Sequence, residues 1–258
     1  MVVSELASII MPAYNSADYI EESIRSVINQ QYQNWELIIV NDCSTDTTKN
    51  IIEKFTFLDK RIKYLNNVNN IGAGKSRNRA LKIASGRYIT FLDSDDIWKP
   101  QKLSIQIETI KKENVSVVFS SYERIDEKGN FYLKGVKAIK LLSYKKLLKH
   151  NYIGNLTGLY DASKIGVVLQ PEMRKRQDWA MWLIVLQKAK KAIGIQESLA
   201  VYRVRKISVS SNKLTLIKYN FNVYNRELNF SKAKSVYYLF AFLIMHVYVK
   251  ITLYKNLN

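Results

Sequence analysis

Short apolar runs alternate with stretches whose apolar positions recur every three to four residues along the first part of the chain. Residues 7–11 predict a buried strand, and Ile20, Ile24, Val27 and Ile28 beyond them share one face of a helix. The pattern repeats with a strand at 35–41, turn and cap chemistry in Asp42-Cys43-Ser44-Thr45-Asp46, and a helix through Ile51, Ile52 and Phe55. A third strand at 62–65, a helix at 75–84 and a fourth strand at 88–92 continue it. Alternation of this kind predicts a mainly parallel sheet covered by helices, with ligands held outside the carboxyl ends of the strands.

Past Lys99-Pro100 a helix through Leu103, Ile107 and Ile110 leads to a strand at 115–120, and Glu127-Lys128-Gly129-Asn130 reads as a hairpin turn. Regular alternation stops there. A basic helix near 144–149, a strand near 156–160 and a helix with Trp179, Trp182, Leu183 and Leu186 on one face follow. Residues 213–254 read as a helical tail whose apolar segment, 236–249, holds His246 and is flanked by Lys232, Lys234, Lys250 and Lys255. That segment is shorter than the roughly 20 residues a span needs. Its aromatic residues and lysines suit a helix in the membrane interface, and the same amphipathic pattern suits one docked on the protein's own core.

A chain of 258 residues, 47% apolar, buries a real core and fits one α/β domain with an elaborated tail. The single cysteine, Cys43, excludes an intrachain disulfide and a cysteine-rich metal site. The first residues carry Glu5 and lack a basic start before a long apolar run, so no signal peptide is expected and the cytoplasm is the expected compartment. Lys and Arg exceed Asp and Glu by 40 to 22, and a net charge of +18 predicts attraction to phosphate-bearing surfaces. The excess sits in the second half, at 134–149, 188–191 and 203–206.

The densest chemistry is Asp93-Ser94-Asp95-Asp96, at the end of the fourth predicted strand. Carboxylates this close repel unless a proton or a hard cation intervenes, which points to a metal-bound phosphate; helix capping and solvated loop charge are the plain alternative. Gly72-Ala73-Gly74-Lys75-Ser76 resembles the end of a P-loop, which would make a nucleotide hydrolase or kinase, but Asn69 stands where that motif needs glycine. A basic nucleic-acid-binding protein is the non-enzymatic alternative; net charge and many tyrosines support it, and no recognition motif does.

Four segments, PAYNSADYIEESI at 12–24, ELIIVNDCSTDTT at 36–48, NNIGAGKSRNRAL at 69–81 and GRYITFLDSDDIW at 86–98, together resemble the family 2 glycosyltransferases. QDWAMWL at 177–183 and YRVRKISVSSNK at 202–213 extend the resemblance, whose nearest flavour is the small bacterial enzymes of capsule, teichuronic acid and O-antigen biosynthesis. It implies an inverting enzyme of GT-A fold, an α/β architecture with a mainly parallel sheet, spanning residues 1–212 with a C-terminal helical extension at 213–258. Within it, about 1–100 would bind the nucleotide sugar and about 101–212 the acceptor.

By the same resemblance Pro12, Ala13, Tyr14, Asn15 and Asp42 form the floor for base and ribose, and Arg77 touches base or phosphates. Asp93 and Asp95 match the DxD pair around Ser94, with the metal, manganese or magnesium, on Asp95 and Asp93; Asp96 is expected to cap the next turn. Asp178 takes the place of the catalytic base, with Gln177 where relatives carry glutamate, and Trp179 is expected to floor the acceptor sugar while Trp182 is core. Arg203 and Arg205, with Ser208, Ser210 and Ser211, match the segment that closes over the diphosphate. Arg205 replaces a histidine of some relatives, so no histidine metal ligand is expected. The implied partners are a nucleotide-sugar donor, probed first as UDP-linked, a lipid-linked glycan acceptor and an anionic membrane surface at the cytoplasmic face, with no nucleic acid.

Overall fold

The computed structural model describes residues 5–205 and 213–255. The first half alternates as the apolar pattern predicts: β1 (Ala7–Ala13), α1 (Ile20–Ile28), β2 (Trp35–Asn41), α2 (Thr48–Leu58), β3 (Ile62–Asn66), α3 (Ala73–Ile83), β4 (Tyr88–Phe91), β5 (Ile97–Trp98) and α4 (Lys102–Lys112). Then come β6 (Val117–Ile125), β7 (Gly135–Val136), β8 (Leu141–Ser143), α5 (Tyr144–Leu147), β9 (Leu159–Asp161), α6 (Ala162–Ile165), α7 (Gln177–Ala189) and β10 (Lys191–Arg203). The tail is α8 (Lys213–Asn222), a π turn at Val223–Glu227, α9 (Lys232–Thr252) and β11 (Tyr254–Lys255).

One sheet runs in the order β11-β7-β6-β9-β4-β1-β2-β3. Strands β4, β1, β2 and β3 are parallel, and β9 inserts antiparallel between β4 and β6. Side chains on a strand alternate between faces, and each face here has its own core. Ile9, Met11, Leu37 and Ile39 point to α1, α2 and α4. Ile10, Ile38, Val40 and Phe91 point to the side covered by α3, α7 and α9.

Strand β10 determines where the second half meets the first. It runs parallel to β6 with register irregularities between Ile195 and Ser198 and between Ser198 and Ala200, and it then pairs with β5 through Ala200–Trp98 and Val201–Ile97. Bulges bend and twist a strand, and this one brings Arg203 alongside the acidic knot that precedes β5. The predicted strand at 156–160 begins later, because Asn155–Thr157 forms a 3-10 turn with the Thr157 N–H on the Gly154 carbonyl.

The expectation for the tail needs correction in length. Helix α9 has 21 residues and is long and apolar enough to cross a membrane. One stripe of it packs on the body: Phe242 and Val249 are buried, the Phe242 ring sits 4.8 Å from that of Trp179, and β11 pairs antiparallel with β7.

Candidate active site

Strands β1 and β2 end level, Ala13 opposite Asn41, and β4 ends earlier, Phe91 opposite Ile10, so three loops leave the sheet at the same edge. Pro12 and Ala13 are the buried last residues of β1, and Tyr14 stands 47% exposed at the lip. Asn15 adopts φ 45°, a left-handed conformation that asparagine tolerates. Its N–H donates to Ser44 Oγ at 3.1 Å and its Oδ1 accepts from the Thr45 N–H at 2.9 Å, which binds the β1 loop to the β2 loop.

Asp42 is buried at the end of β2. Its Oδ1 accepts from Asn67 Nδ2 at 2.6 Å and from the Ile71 N–H at 2.9 Å, and its Oδ2 accepts from the Gly72 N–H at 2.7 Å. A carboxylate has about four acceptor sites, so Oδ2 retains one for a base N–H or a ribose hydroxyl. The same bonds remove the P-loop alternative. The Ile71 and Gly72 amides that would cradle a phosphate are taken by Asp42, and Ser76, fully buried, holds Asn67 at 2.9 Å.

Beyond β4 the acidic knot is tied from three sides. Arg77 Nη2 donates to Asp93 Oδ1 at 2.5 Å, and the arginine is buried. Ser94 Oγ shares a 2.7 Å hydrogen bond with Ser16 Oγ. Arg205 Nη1 stands 3.6 Å from Asp95 Oδ2. Burial, then the neighbouring Asp93 charge, hold the Asp95 carboxyl above its ordinary range, with Arg205 pulling it back. Asp96 is pushed up further by complete burial and by Asp95 and Asp93.

Among the described residues no three of His, Cys, Asp and Glu gather as a metal cluster. A hard divalent ion needs only one or two carboxylates when substrate phosphates and water complete its shell. Asp93 and Asp95 supply that pair, and the raised Asp95 and Asp96 mark negative charge that a cation would relieve. The donor set therefore fits Mg2+ or Mn2+.

Three expectations are corrected. Asp96 caps no turn: its Oδ1 accepts the Arg203 N–H at 2.9 Å and pins the end of β10. Arg203 does not face a diphosphate, because its guanidinium is buried and donates to Glu22 Oε2 at 2.5 Å, the Asp95 carbonyl at 3.0 Å and the Asp126 carbonyl at 3.4 Å. Trp179 floors no sugar: it is fully buried, with Nε1 on the Leu147 carbonyl at 3.1 Å and its ring edge-on to Tyr224. Trp182 is core, as expected. Lys206, Ser208, Ser210 and Ser211 lie outside the described residues.

Asp178 lies in the first turn of α7, and Arg176, at φ 67°, is the residue at the cap. Asp178 is therefore not the N-cap, and as an acidic residue of the first turn it also suits the helix dipole. Its Oδ2 accepts one long hydrogen bond, from Asn151 Nδ2 at 3.5 Å, and it is part-exposed. Gln177 at the start of α7 and Gln170 in the segment before it both lie against α3. A Cβ at Gly74 would lie 3.4 Å from Gln177 Cγ, and Arg77 Nη1 donates to Gln170 Oε1 at 3.3 Å while Gln170 and Asn78 exchange backbone–side-chain bonds of 2.7 and 2.8 Å. Gln170, Asn151 and Glu22 escaped the sequence reading, since each acts through a partner distant in the chain and no local spacing announces it.

Compared with known proteins, the family model Glycosyl transferase family 2 matches residues 8–166. TuaG of Bacillus subtilis, described as a candidate teichuronic acid biosynthesis glycosyltransferase, is 41% identical over 230 residues, covering 88% of this chain and 91% of that one. WfgD of Escherichia coli, a UDP-Glc:alpha-D-GlcNAc-diphosphoundecaprenol beta-1,3-glucosyltransferase, is 38% identical over 252 residues, covering 97% of each. Of solved structures, S. aureus TarS 1-349 in complex with UDP-GlcNAc aligns with a TM-score of 0.73 at 22% identity, over 94% of this chain and 72% of that chain. The mannosyltransferase PcManGT of Pyrobaculum calidifontis, in complex with GDP-Man and Mn2+, aligns at 0.64 with 15% identity, over 96% and 74%. Both structural likenesses are likenesses of fold.

Proposed function

The chain belongs to the family 2 glycosyltransferases, and from that premise we propose that it transfers one sugar, with inversion, from a UDP-sugar to a lipid-linked glycan in cell-surface polysaccharide biosynthesis. The observation that carries the reading is that Arg77 of α3 neutralises Asp93 of the acidic knot and reaches Gln170, in the segment that leads to α7 and the part-exposed Asp178. A UDP donor and a diphosphoundecaprenol-linked acceptor are what the name of WfgD specifies for that relative.

In this reading residues 1–100 form the donor half. Pro12 to Asn15 and the free acceptor site on Asp42 hold base and ribose, and Arg77 sets Asp93 toward the ribose and phosphates. Asp95, with Asp93, would hold Mn2+ or Mg2+, which supplies Lewis-acid neutralisation of the departing diphosphate. Arg205, 3.6 Å from Asp95, presents a guanidinium to the same charge. Residues 101–212 form the acceptor half.

Asp178 removes the proton from the acceptor hydroxyl as that oxygen bonds to the anomeric carbon, on the face opposite the breaking bond to the diphosphate. The proton rests on the carboxylate, the electron pair leaves with UDP, and no covalent sugar–enzyme intermediate forms. Asn151 holds the carboxylate by a single long bond and leaves its other oxygen open. The work is done at the cytoplasmic face of the membrane, where such an acceptor is presented.

Isothermal titration with UDP, GDP, dTDP and ATP, each with and without Mn2+, tests the reading. Binding of UDP that requires the metal is expected; binding of ATP alone, or of no nucleotide, would overturn it.

A further inference from the structure

Helix α9 carries two apolar stripes and no acidic residue. The inner stripe is committed to the body: Phe242 lies against Trp179, Tyr238 stacks on Tyr224 at 5.6 Å, and His246 Nδ1 is 3.2 Å from His150 Nε2. The outer stripe is open. Tyr237, Phe240, Ile244, Val247, Tyr248 and Ile251 recur at helical spacing and are 58–75% exposed. A contiguous apolar strip of this length on a protein surface marks an interaction site.

Both ends of α9 are fixed to the same body. Ser231 caps its start, and Phe230 stacks on Tyr224. At the far end Leu253 accepts the Lys137 N–H at 2.8 Å, and Tyr254 pairs with Val136. A helix tied in this way lies along the surface of the body. At about 100° per residue, Lys232 and Lys250 fall on one flank of the outer stripe and Lys234 on the other. Among the described residues none of these lysines pairs with a carboxylate.

We propose that the outer face of α9 is the docking surface for an anionic lipid bilayer. The apolar stripe enters the acyl boundary while the flanking lysines snorkel to lipid phosphates. Charge complementarity selects this occupant over a second copy of the chain, whose own α9 lysines would be brought against these with no carboxylate on either helix. The inner stripe gives the docking a consequence that rests on the proposed glycosyltransfer. Phe242 and His246 touch Trp179, Arg176 and His150, the neighbours of Asp178 and Asn151. One helix, about 10 Å thick, thus separates the headgroup plane from the wall behind the base, which suits an acceptor sugar attached close to its lipid diphosphate.

The test uses the full chain and two outer-face variants, Phe240→Ser with Ile244→Ser and Lys232→Glu with Lys250→Glu. Flotation is measured with phosphatidylcholine vesicles, with and without phosphatidylglycerol, and UDP titration with Mn2+ and sedimentation velocity are run on the same samples. Expected are capture of the wild type by the anionic vesicles and a loss of about tenfold or more in each variant, with UDP affinity within about twofold throughout. Variants that float like the wild type, or a wild type that ignores the vesicles, overturn the docking. So does a wild-type dimer that the variants dissolve without any vesicle capture. Vesicle capture by a wild type that fails to bind UDP would sink the glycosyltransferase reading and leave the docking standing.

Discussion

Arg77 Nη2 lies 2.5 Å from Asp93 Oδ1, and the same guanidinium reaches Gln170 Oε1 at 3.3 Å. One buried arginine on α3 therefore joins the acidic loop after β4 to the segment that leads into α7.

Replacing Arg77 by methionine keeps the volume and removes the charge. The side chain is 6% exposed and Asp93 is 34% exposed, so solvent absorbs part of the loss. A destabilisation of about 1–2 kcal/mol is expected, together with UDP binding weakened by about tenfold or more. A thermal melt and a UDP titration check the two.

Asp95→Asn keeps the shape of the knot and removes the carboxylate assigned to the metal. Binding of UDP in the presence of Mn2+ should fall to the level seen with chelator, while metal-free binding stays as in the wild type. A calorimetric titration with Mn2+ and with EDTA reads both.

Gly158→Ala tests packing away from the chemistry. A Cβ there would meet Trp182 at 2.3 and 2.5 Å, and that indole is fully buried between Phe91 and Tyr160. Overpacking of this kind costs about 1–3 kcal/mol, measured as a shift in the urea midpoint with an unchanged m-value.

His150 gives the fold a pH dependence. Burial, then His246, push its imidazole from 6.5 down to about 4, with Asn151 opposing and Arg176 adding the least. Between those values the unfolded chain takes up a proton that the folded chain refuses. Stability is thus complete above pH 6.5 and is lost progressively as pH falls toward 4, by up to roughly 3 kcal/mol. Denaturation midpoints measured from pH 7 to pH 5 should fall in the wild type, with a shallower slope in His150→Phe.

The first half was legible because each element there is specified locally. Ile9, Leu37 and Ile89 sit in short apolar runs, Ile20, Ile24 and Val27 in a helical stripe, and the knot marks where β4 ends. Long-range commitments were not legible. Arg203 sits in a basic segment that resembles a diphosphate clamp, yet Glu22 on α1, which holds its guanidinium, is visible only once β10 has bulged toward β5. Trp179 follows the candidate base, and an aromatic beside a base invites a sugar; the buried positions of α7 surround the helix and claim it. In the tail, the pattern gave an apolar segment but could not divide it into one stripe for the body and one for the outside.

The most direct test of the account is transfer by Asp178→Asn, with donor binding measured on the same preparation. Purified variant and wild type are given UDP-sugar, Mn2+ and a diphosphoundecaprenol-linked acceptor, and product is followed alongside UDP titration. The account predicts UDP affinity within about twofold of the wild type and transfer reduced by about a thousandfold. Transfer within about tenfold of the wild type would contradict Asp178 as the base, and loss of UDP binding together with transfer would place it in the donor site instead.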